Sequence, residues 1–158
     1  EIAAAATRLR AAARRGTVLR LATGVIVVDD SYNSSPSALA QSLEVIKNER
    51  VAARKIAVLG EMLELGEHSA RLHAESGRLA ARSGISLLYA IGGPAAQALA
   101  EGAVQAGLPS NAVTWFPTSE LAAPVIAGAI RPGDLVLVKG SRGIRTDVVA
   151  DRIKAECA

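Results

Sequence analysis

Five short apolar runs recur along this chain, and a segment with the apolar spacing of a helix follows each run. The runs lie at residues 25–28, 56–59, 87–91, 113–116 and 135–138. They are largely continuous rather than alternating with polar residues, which is typical of strands covered by helices on both faces of a sheet. The helical segments are predicted near residues 36–48, 69–83, 94–106, 118–129 and 146–156. This order predicts an α/β fold in which a mostly parallel sheet carries helices on both faces.

The start of the chain departs from this alternation. Residues 18–21 and 25–28 flank Ala22-Thr23-Gly24, a turn signal that predicts a short hairpin and hence a sixth, antiparallel strand at one edge of the sheet. The Ala- and Arg-rich residues 2–14 predict a helix outside the repeating units. We therefore predict that residues 1–16 are the tail of a preceding domain and that residues 17–158 form one α/β domain.

Composition limits the classes of function. The 158 residues are 50% hydrophobic and 21% charged, which suits one folded domain and argues against disorder. Aromatic residues make up only 3%, whereas base-stacking nucleic-acid binders depend on aromatic platforms. The net charge of +3 is modest. The dense basic cluster at Arg8, Arg10, Arg14 and Arg15 is interpreted as a solvated helix face, with a nucleic-acid or lipid patch as the alternative.

Cysteine content and the lack of targeting segments bear on location. Cys157 is the single cysteine, so neither an internal disulfide nor a cysteine metal cage can form. No apolar run approaches the roughly 20 residues of a membrane span, and the first residues do not have the layout of a signal peptide. We expect a cytoplasmic protein. Because the chain opens with Glu1, we also expect it to be part of a longer protein.

The segment Asp29–Pro36 combines two carboxylates, a phenol, an amide and three hydroxyls at the end of a predicted strand. Ligands of open α/β sheets bind at the carboxyl ends of the strands. Turn and helix-cap chemistry accounts for residues 34–36. It does not account for adjacent carboxylates beside Tyr32 and Asn33, and a carboxylate here can accept ribose hydroxyls or hold Mg²⁺ through water. A plain turn and a ligand site both remain open.

Two further segments follow predicted strands and would meet the first one at the same edge of the sheet. Glu61-Met62-Leu63 supplies a carboxylate and apolar side chains that either pack under the sheet or line a pocket. Lys139-Gly140-Ser141-Arg142 supplies two cations and a close-approaching glycine before a helix, where an anion can bind. A solvated loop is the alternative for the second segment.

Other motifs carry weaker signals. Gly92-Gly93-Pro94 lacks the full dinucleotide fingerprint and predicts only a turn. His68 and His73 are five positions apart, which does not match the spacing of a helical zinc pair, and no third ligand is apparent. We predict no metal site. The chain also lacks the phosphate loop G-x-x-x-x-G-K-[ST].

Three segments together resemble the C-terminal domain of the Mur ligase family. The segments Val28–Pro36, Val58–Gly66 and Leu137–Arg142 are similar to the family's DDSYNANP, LGDM-ELG and LVKGSR segments. Their order and strand context fit, and the resemblance covers residues 14–156. The tripeptide-adding enzymes of the family tend to carry His within the first segment, where this chain has Tyr32-Asn33, which favours the branch that adds D-alanyl-D-alanine. Ser-Ser in place of the usual Ala-Asn alters only cap details.

This resemblance implies a Rossmann-like domain that works beside a UDP-sugar peptide domain and a central ATPase domain, whose tail would be residues 1–16. It implies ATP-dependent peptide-bond formation between UDP-MurNAc-tripeptide and D-alanyl-D-alanine in peptidoglycan synthesis, by a monomer, with Mg²⁺ held mainly by the central domain. The residues implied for ATP are Arg15, Asp30, Asn33 and Pro36. The residues implied for the dipeptide are Glu61, Met62, Leu63, Lys139, Ser141 and Arg142. No catalytic residue is implied within this chain, and the isolated chain is expected to be inactive.

Other classes of protein share some of these features. A signalling receiver domain also has an early acidic pair and a late lysine, but it needs a phosphorylatable Asp after a middle strand. The middle strands here end in Gly60-Glu61 and Ile91-Gly92 instead. Another amino-acid-adding Mur ligase and a stand-alone nucleotide or amino-acid binding module remain as alternatives.

Overall fold

The computed structural model describes residues 13–158, so nearly all of the helix predicted over residues 2–14 lies outside the described part of the chain. Strands and helices alternate through this range after an initial hairpin. The strands are β1 (Thr17–Arg20), β2 (Ile26–Asp30), β3 (Arg54–Gly60), β4 (Leu87–Ile91), β5 (Val113–Phe116) and β6 (Asp134–Lys139). The α-helices are α1 (Pro36–Asn48), α2 (Ser69–Arg82), α3 (Pro94–Gln105), α4 (Ser119–Ala129) and α5 (Asp147–Cys157).

One sheet with the strand order β1-β2-β6-β3-β4-β5 forms the centre of the domain. β1 pairs antiparallel with β2, and the other neighbours are parallel. The predicted fold class is therefore confirmed, including its antiparallel edge strand. Because β2, β6 and β3 are parallel neighbours, their carboxyl ends lie side by side. We call this edge of the sheet the carboxyl rim.

The hydrophobic core has two parts, one on each face of the sheet. Alternate residues of each strand point to opposite faces, so β2 sends Val27 to one part and Ile26 and Val28 towards the other. Helices α4 and α5 cover the first face, and helices α1, α2 and α3 cover the second. Short aliphatic side chains fill both parts, as the low aromatic content requires. Within residues 13–158, no helix is long and apolar enough to cross a membrane.

Helix starts follow the sequence signals in one case and depart from them in two. The Ser35 hydroxyl accepts a hydrogen bond from the Ala38 N–H at 3.3 Å ahead of Pro36, as predicted. Ser69 and Thr146, the polar residues that open the helices predicted near 69–83 and 146–156, do not act as caps. Ser69 is already the first residue of α2, and the Thr146 side chain makes no capping bond. In both cases a 3₁₀ turn precedes the α-helix. The residue just before the α-helix, His68 or Thr146, has a helical backbone, whereas a capping side chain needs an extended backbone.

Helices α2 and α3 cross with their backbones in close contact. A Cβ atom added to Gly77 would collide with the Leu99 carbonyl oxygen, and one added to Gly102 would collide with the Ala74 carbonyl oxygen. Only glycine therefore allows this crossing. The crossing matters for the carboxyl rim because both helices support the loop that follows β3.

We expect Gly77→Ala to destabilise the domain by about 2 kcal/mol or more, because the added methyl group forces two packed backbones apart. The matched control is Gly128→Ala in α4, where an added Cβ meets no atom within 4 Å. That change should stabilise by about 0.5–1 kcal/mol, because alanine favours the helix. Urea unfolding of the three proteins gives both values. Equal stability of the Gly77→Ala variant and the wild type would contradict the crossing described here.

Candidate functional site

The two adjacent carboxylates at the end of β2 have different surroundings. Asp29 is 2% exposed, and its Oδ2 accepts a hydrogen bond from the Lys154 ammonium of α5 at 2.8 Å. Asp30 points to the opposite face, because side chains alternate along a strand. Its Oδ2 accepts hydrogen bonds from the Lys139 ammonium at 2.6 Å and from the Ser42 hydroxyl at 3.2 Å. Asp29 therefore attaches α5 to the sheet, whereas Asp30 borders the carboxyl rim.

A cavity of about 450 Å³ lies between the end of β2, helix α1 and the residues before β1. We call it the β2–α1 cavity. Three of the residues predicted for ATP line it, namely Arg15, Asp30 and Asn33, whereas Pro36 is not among its lining residues. Lys139, predicted for the other set, also lines it. Lys139 lies there because β2 pairs with β6, which places Lys139 beside Asp30 on the same face of the sheet.

A second cavity of about 270 Å³ lies between the loops that follow β2, β3 and β6. We call it the Arg142 cavity. It gathers three of the residues predicted for the dipeptide, namely Leu63, Ser141 and Arg142, and Asn33 of the set predicted for ATP also lines it. The Ser141 hydroxyl accepts a hydrogen bond from the Leu63 N–H at 2.9 Å, and the Ser141 N–H donates to the Glu61 carbonyl at 3.2 Å. The loops after β3 and β6 are thus joined directly to each other.

Met62 and Glu61 lie apart from this cavity, in contrast to the prediction. Met62 is 1% exposed and packs in the core beneath the sheet, because burial of its apolar side chain outweighs any surface position. The Glu61 carboxylate accepts a hydrogen bond from the Gly93 N–H at 2.7 Å, at the start of α3. A helix N-terminus favours a negative charge. Both residues therefore hold the loop in place, and neither lines the β2–α1 or the Arg142 cavity.

His73 is a supporting residue that the sequence did not reveal. It is fully buried on α2, where its Nε2 accepts a hydrogen bond from the Met62 N–H at 2.8 Å. Its Nδ1 lies 2.7 Å from the Ser69 carbonyl oxygen, which can only accept, so Nδ1 carries the proton. The only available signal was its position on the buried stripe of α2. Within residues 13–158, no group of three or more His, Cys, Asp or Glu side chains is placed to hold a metal ion.

Tyr32 separates the two cavities and was assigned to neither predicted set. The Arg15 guanidinium lies 4.2 Å from the centre of its ring, and the Arg142 guanidinium lies 5.7 Å from it. Both distances are within the range of cation–π attraction. Among the described residues, neither guanidinium forms an ion pair, so both cations remain available to an anionic ligand. One aromatic ring thus holds an arginine from each predicted set.

A family model described as "Mur ligase, glutamate ligase domain" matches residues 14–142. The chain belongs to the Mur ligase family. This membership excludes the alternative of a signalling receiver domain, which shares only the early acidic pair and the late lysine with this chain.

Curated Mur ligases resemble the chain over most of its length. The UDP-N-acetylmuramoyl-tripeptide–D-alanyl-D-alanine ligase of Mycobacterium leprae is 35% identical over an alignment 150 positions long, which covers 87% of this chain and 29% of that protein. The ligase of the same name from Mycobacterium tuberculosis strain H37Rv is 34% identical over an alignment 173 positions long, which covers 99% of this chain and 34% of that protein. The chain thus spans about a third of the length of these relatives.

Solved structures of Mur ligases share the fold. The MurF ligase of Thermotoga maritima in complex with ADP superposes with a TM-score of 0.75 and 30% identity, covering 95% of this chain and 32% of that one. A MurF structure from Acinetobacter baumannii superposes with a TM-score of 0.80 and 27% identity, covering 94% of this chain and 32% of that one.

We expect His73→Leu to destabilise the domain by about 1–3 kcal/mol, because the buried Met62 N–H loses its acceptor. His68→Leu is the matched control, since His68 is exposed on the preceding turn. The control should change the free energy of unfolding by no more than about 0.5 kcal/mol. Urea unfolding measures both variants. Similar stability of the two would show that the Met62 N–H does not depend on His73.

Proposed function

We propose that this chain is the C-terminal part of an ATP-dependent ligase that joins D-alanyl-D-alanine to UDP-MurNAc-tripeptide in peptidoglycan synthesis. The observation that carries the proposal is the convergence of the loops after β2, β3 and β6 on two adjoining cavities separated by Tyr32. Relatives with this printed name align with most of the chain, and the ADP complex of the Thermotoga relative supports nucleotide binding. We expect a monomer that works in the cytoplasm.

The proposed chemistry has two steps. The γ-phosphoryl group of ATP moves to the carboxylate of the tripeptide, which gives ADP and an acyl phosphate. The amine nitrogen of D-alanyl-D-alanine then bonds to the carbonyl carbon, the bond from that carbon to the phosphate oxygen breaks, and phosphate and a proton leave. An acyl phosphate is open to hydrolysis, so the site must exclude water while it exists. A domain that carries part of both ligand sites can couple closure to binding.

We assign the ribose end of ATP to the β2–α1 cavity, whose volume is in the range of small-molecule sites. Both hydrogen bonds that the Asp30 side chain accepts within residues 13–158 use Oδ2, so Oδ1 can accept a ribose hydroxyl. Lys139 orients the Asp30 carboxylate. We therefore assign Lys139 to the nucleotide site and not to the dipeptide site. Arg15 would meet the phosphates. Because the described residues include no group that fits a metal ion, we assign no Mg²⁺ ligand here and route no step through the metal.

We assign D-alanyl-D-alanine to the Arg142 cavity, whose volume of about 270 Å³ suits a molecule of dipeptide size. The dipeptide ends in a carboxylate, which a guanidinium binds with two parallel hydrogen bonds. Arg142 is exposed and forms no ion pair among the described residues. The apolar side chain of Leu63 suits the methyl groups of the ligand. Asn33 borders both cavities, at the point where the dipeptide amine has to reach the acyl phosphate.

In the full-length protein, we expect Arg142→Ala to raise the KM for D-alanyl-D-alanine about tenfold, because a charge-assisted contact to the carboxylate is lost. The KM for ATP should change little. Phosphate release that depends on D-alanyl-D-alanine measures both constants. Arg50→Ala is the control, since Arg50 is exposed before β3 at the opposite edge of the sheet.

Measurements on the wild type and on Arg142→Ala distinguish the proposed activity from the assignment of the Arg142 cavity. Absence of dipeptide-dependent phosphate release by the wild-type full-length protein would overturn the proposed function. An unchanged dipeptide KM in an active Arg142→Ala variant would overturn only the assignment of the Arg142 cavity.

For the nucleotide side, we expect Asp30→Asn to raise the KM for ATP about tenfold, because a neutral amide is a weaker acceptor for ribose hydroxyls than a carboxylate. The KM for the dipeptide should rise less than the KM for ATP, because Asp30 lines the β2–α1 cavity and not the Arg142 cavity. Glu44→Gln is the control, since it neutralises an exposed carboxylate of α1. An ATP KM that does not respond to Asp30→Asn would show that the ribose lies elsewhere.

A further inference from the structure

The residues immediately before β1 are attached to the carboxyl rim by an unusual set of contacts. The Arg14 guanidinium donates a hydrogen bond to Asp151 of α5 at 2.9 Å. It also lies 3.8 Å from the carboxylates of Asp29 and Asp147. One side chain thus connects the start of the domain to the end of β2 and to its last helix.

The backbone of Arg14 makes a second attachment at the same place. Its carbonyl oxygen accepts a hydrogen bond from the Tyr32 N–H at 3.1 Å. Arg14 has a left-handed backbone, with φ at +65°. This conformation costs a residue other than glycine about 1 kcal/mol, so contacts elsewhere must offset the cost. The ion pairs of the guanidinium and the hydrogen bond from the Tyr32 N–H are the contacts of Arg14 that can do so.

The charges in this network reinforce one another. The hydrogen bond to Asp151 raises the pKa of Arg14 above its ordinary value, against the opposing effect of burial. Burial raises the pKa of Asp151, but hydrogen bonds from Arg14 and Lys154 outweigh it and lower that pKa overall. Asp29, the buried member of the network, also accepts a hydrogen bond from the Ser31 hydroxyl at 2.6 Å. The network therefore holds Ser31 through Asp29 and Tyr32 through the Arg14 carbonyl.

We propose that Arg14 is a positioning residue that fixes Tyr32, and with it the Arg15 and Arg142 guanidiniums, between the two cavities. Arg14 lines a neighbouring cavity together with Tyr32 and Arg142. It lines neither the β2–α1 cavity nor the Arg142 cavity, so it acts on those two through Tyr32 and through its sequence neighbour Arg15. The effect on ligand binding rests on the proposed ligase function. The effect on Tyr32 does not, because it concerns the folded chain alone.

Arg14→Gly is the informative variant, because glycine adopts the left-handed backbone without strain and removes only the side chain. Asp151→Asn weakens the same contact from its other end. Arg152→Ala is the matched control, since Arg152 is an exposed arginine of α5 that pairs with Glu156 in its own helix. The first readout is hydrogen–deuterium exchange at the Tyr32 amide in this chain. The second is KM and kcat of the full-length protein.

Arg14→Gly and Asp151→Asn should each speed Tyr32 exchange about two- to fivefold, the range expected from losing a partly exposed ion pair. The KM values for ATP and the dipeptide should rise by a similar factor while kcat changes less, because Arg14 touches no reacting atom. Arg152→Ala should change neither readout. A purely structural role would lower stability without a selective rise in KM.

Unchanged Tyr32 exchange in Arg14→Gly would overturn the proposal, whatever the activity. Faster exchange with unchanged KM values, or an equal response in Arg152→Ala, would overturn it as well. Absence of ligase activity in the wild-type full-length protein would count against the proposed function only, because the exchange measurement still tests the attachment of Tyr32.

Discussion

The ion pair between Lys139 and Asp30 is the interaction on which the carboxyl rim depends. Lys139 is only 3% exposed, and its ammonium lies 2.6 Å from the Asp30 carboxylate and 3.1 Å from the Asn33 carbonyl oxygen. A buried cation without these partners would be strongly unfavourable. The pair therefore fixes the end of β6 against the end of β2 and draws the β2 loop towards it. Both cavities are built on this junction.

Much of the architecture follows from local sequence patterns. The apolar runs, the hairpin turn signal and the helical spacing placed every strand and α-helix in residues 17–158 within two residues of its observed bounds. These patterns succeed because strands that are buried on both faces of a parallel sheet consist of continuous apolar runs, which are visible in the sequence. Helix starts were harder to predict. At Ser69 and Thr146 a preceding 3₁₀ turn sets the backbone, and that turn has no comparably strong sequence signal.

The candidate site was predictable only in outline. Sequence patterns bring Asp30, Ser141 and Arg142 to the same edge, because each follows a predicted parallel strand. They cannot show that Lys139 turns towards Asp30, since that depends on which strands are neighbours in the sheet. The roles of His73 and Arg14 were missed for a related reason. Their partners are distant in sequence or on another element, and burial together with hydrogen bonding is visible only in three dimensions.

The glycine crossing of α2 and α3 has a consequence for the loop after β3. Each of these helices supplies one support for that loop, His73 from α2 and the Gly93 N–H from α3. The position of the loop therefore depends on the separation of these two helices as well as on its hydrogen bonds to Ser141. A change at the crossing, which touches neither cavity, would widen or narrow the Arg142 cavity by moving one wall. The selectivity of such a site can thus be adjusted from within the hydrophobic core.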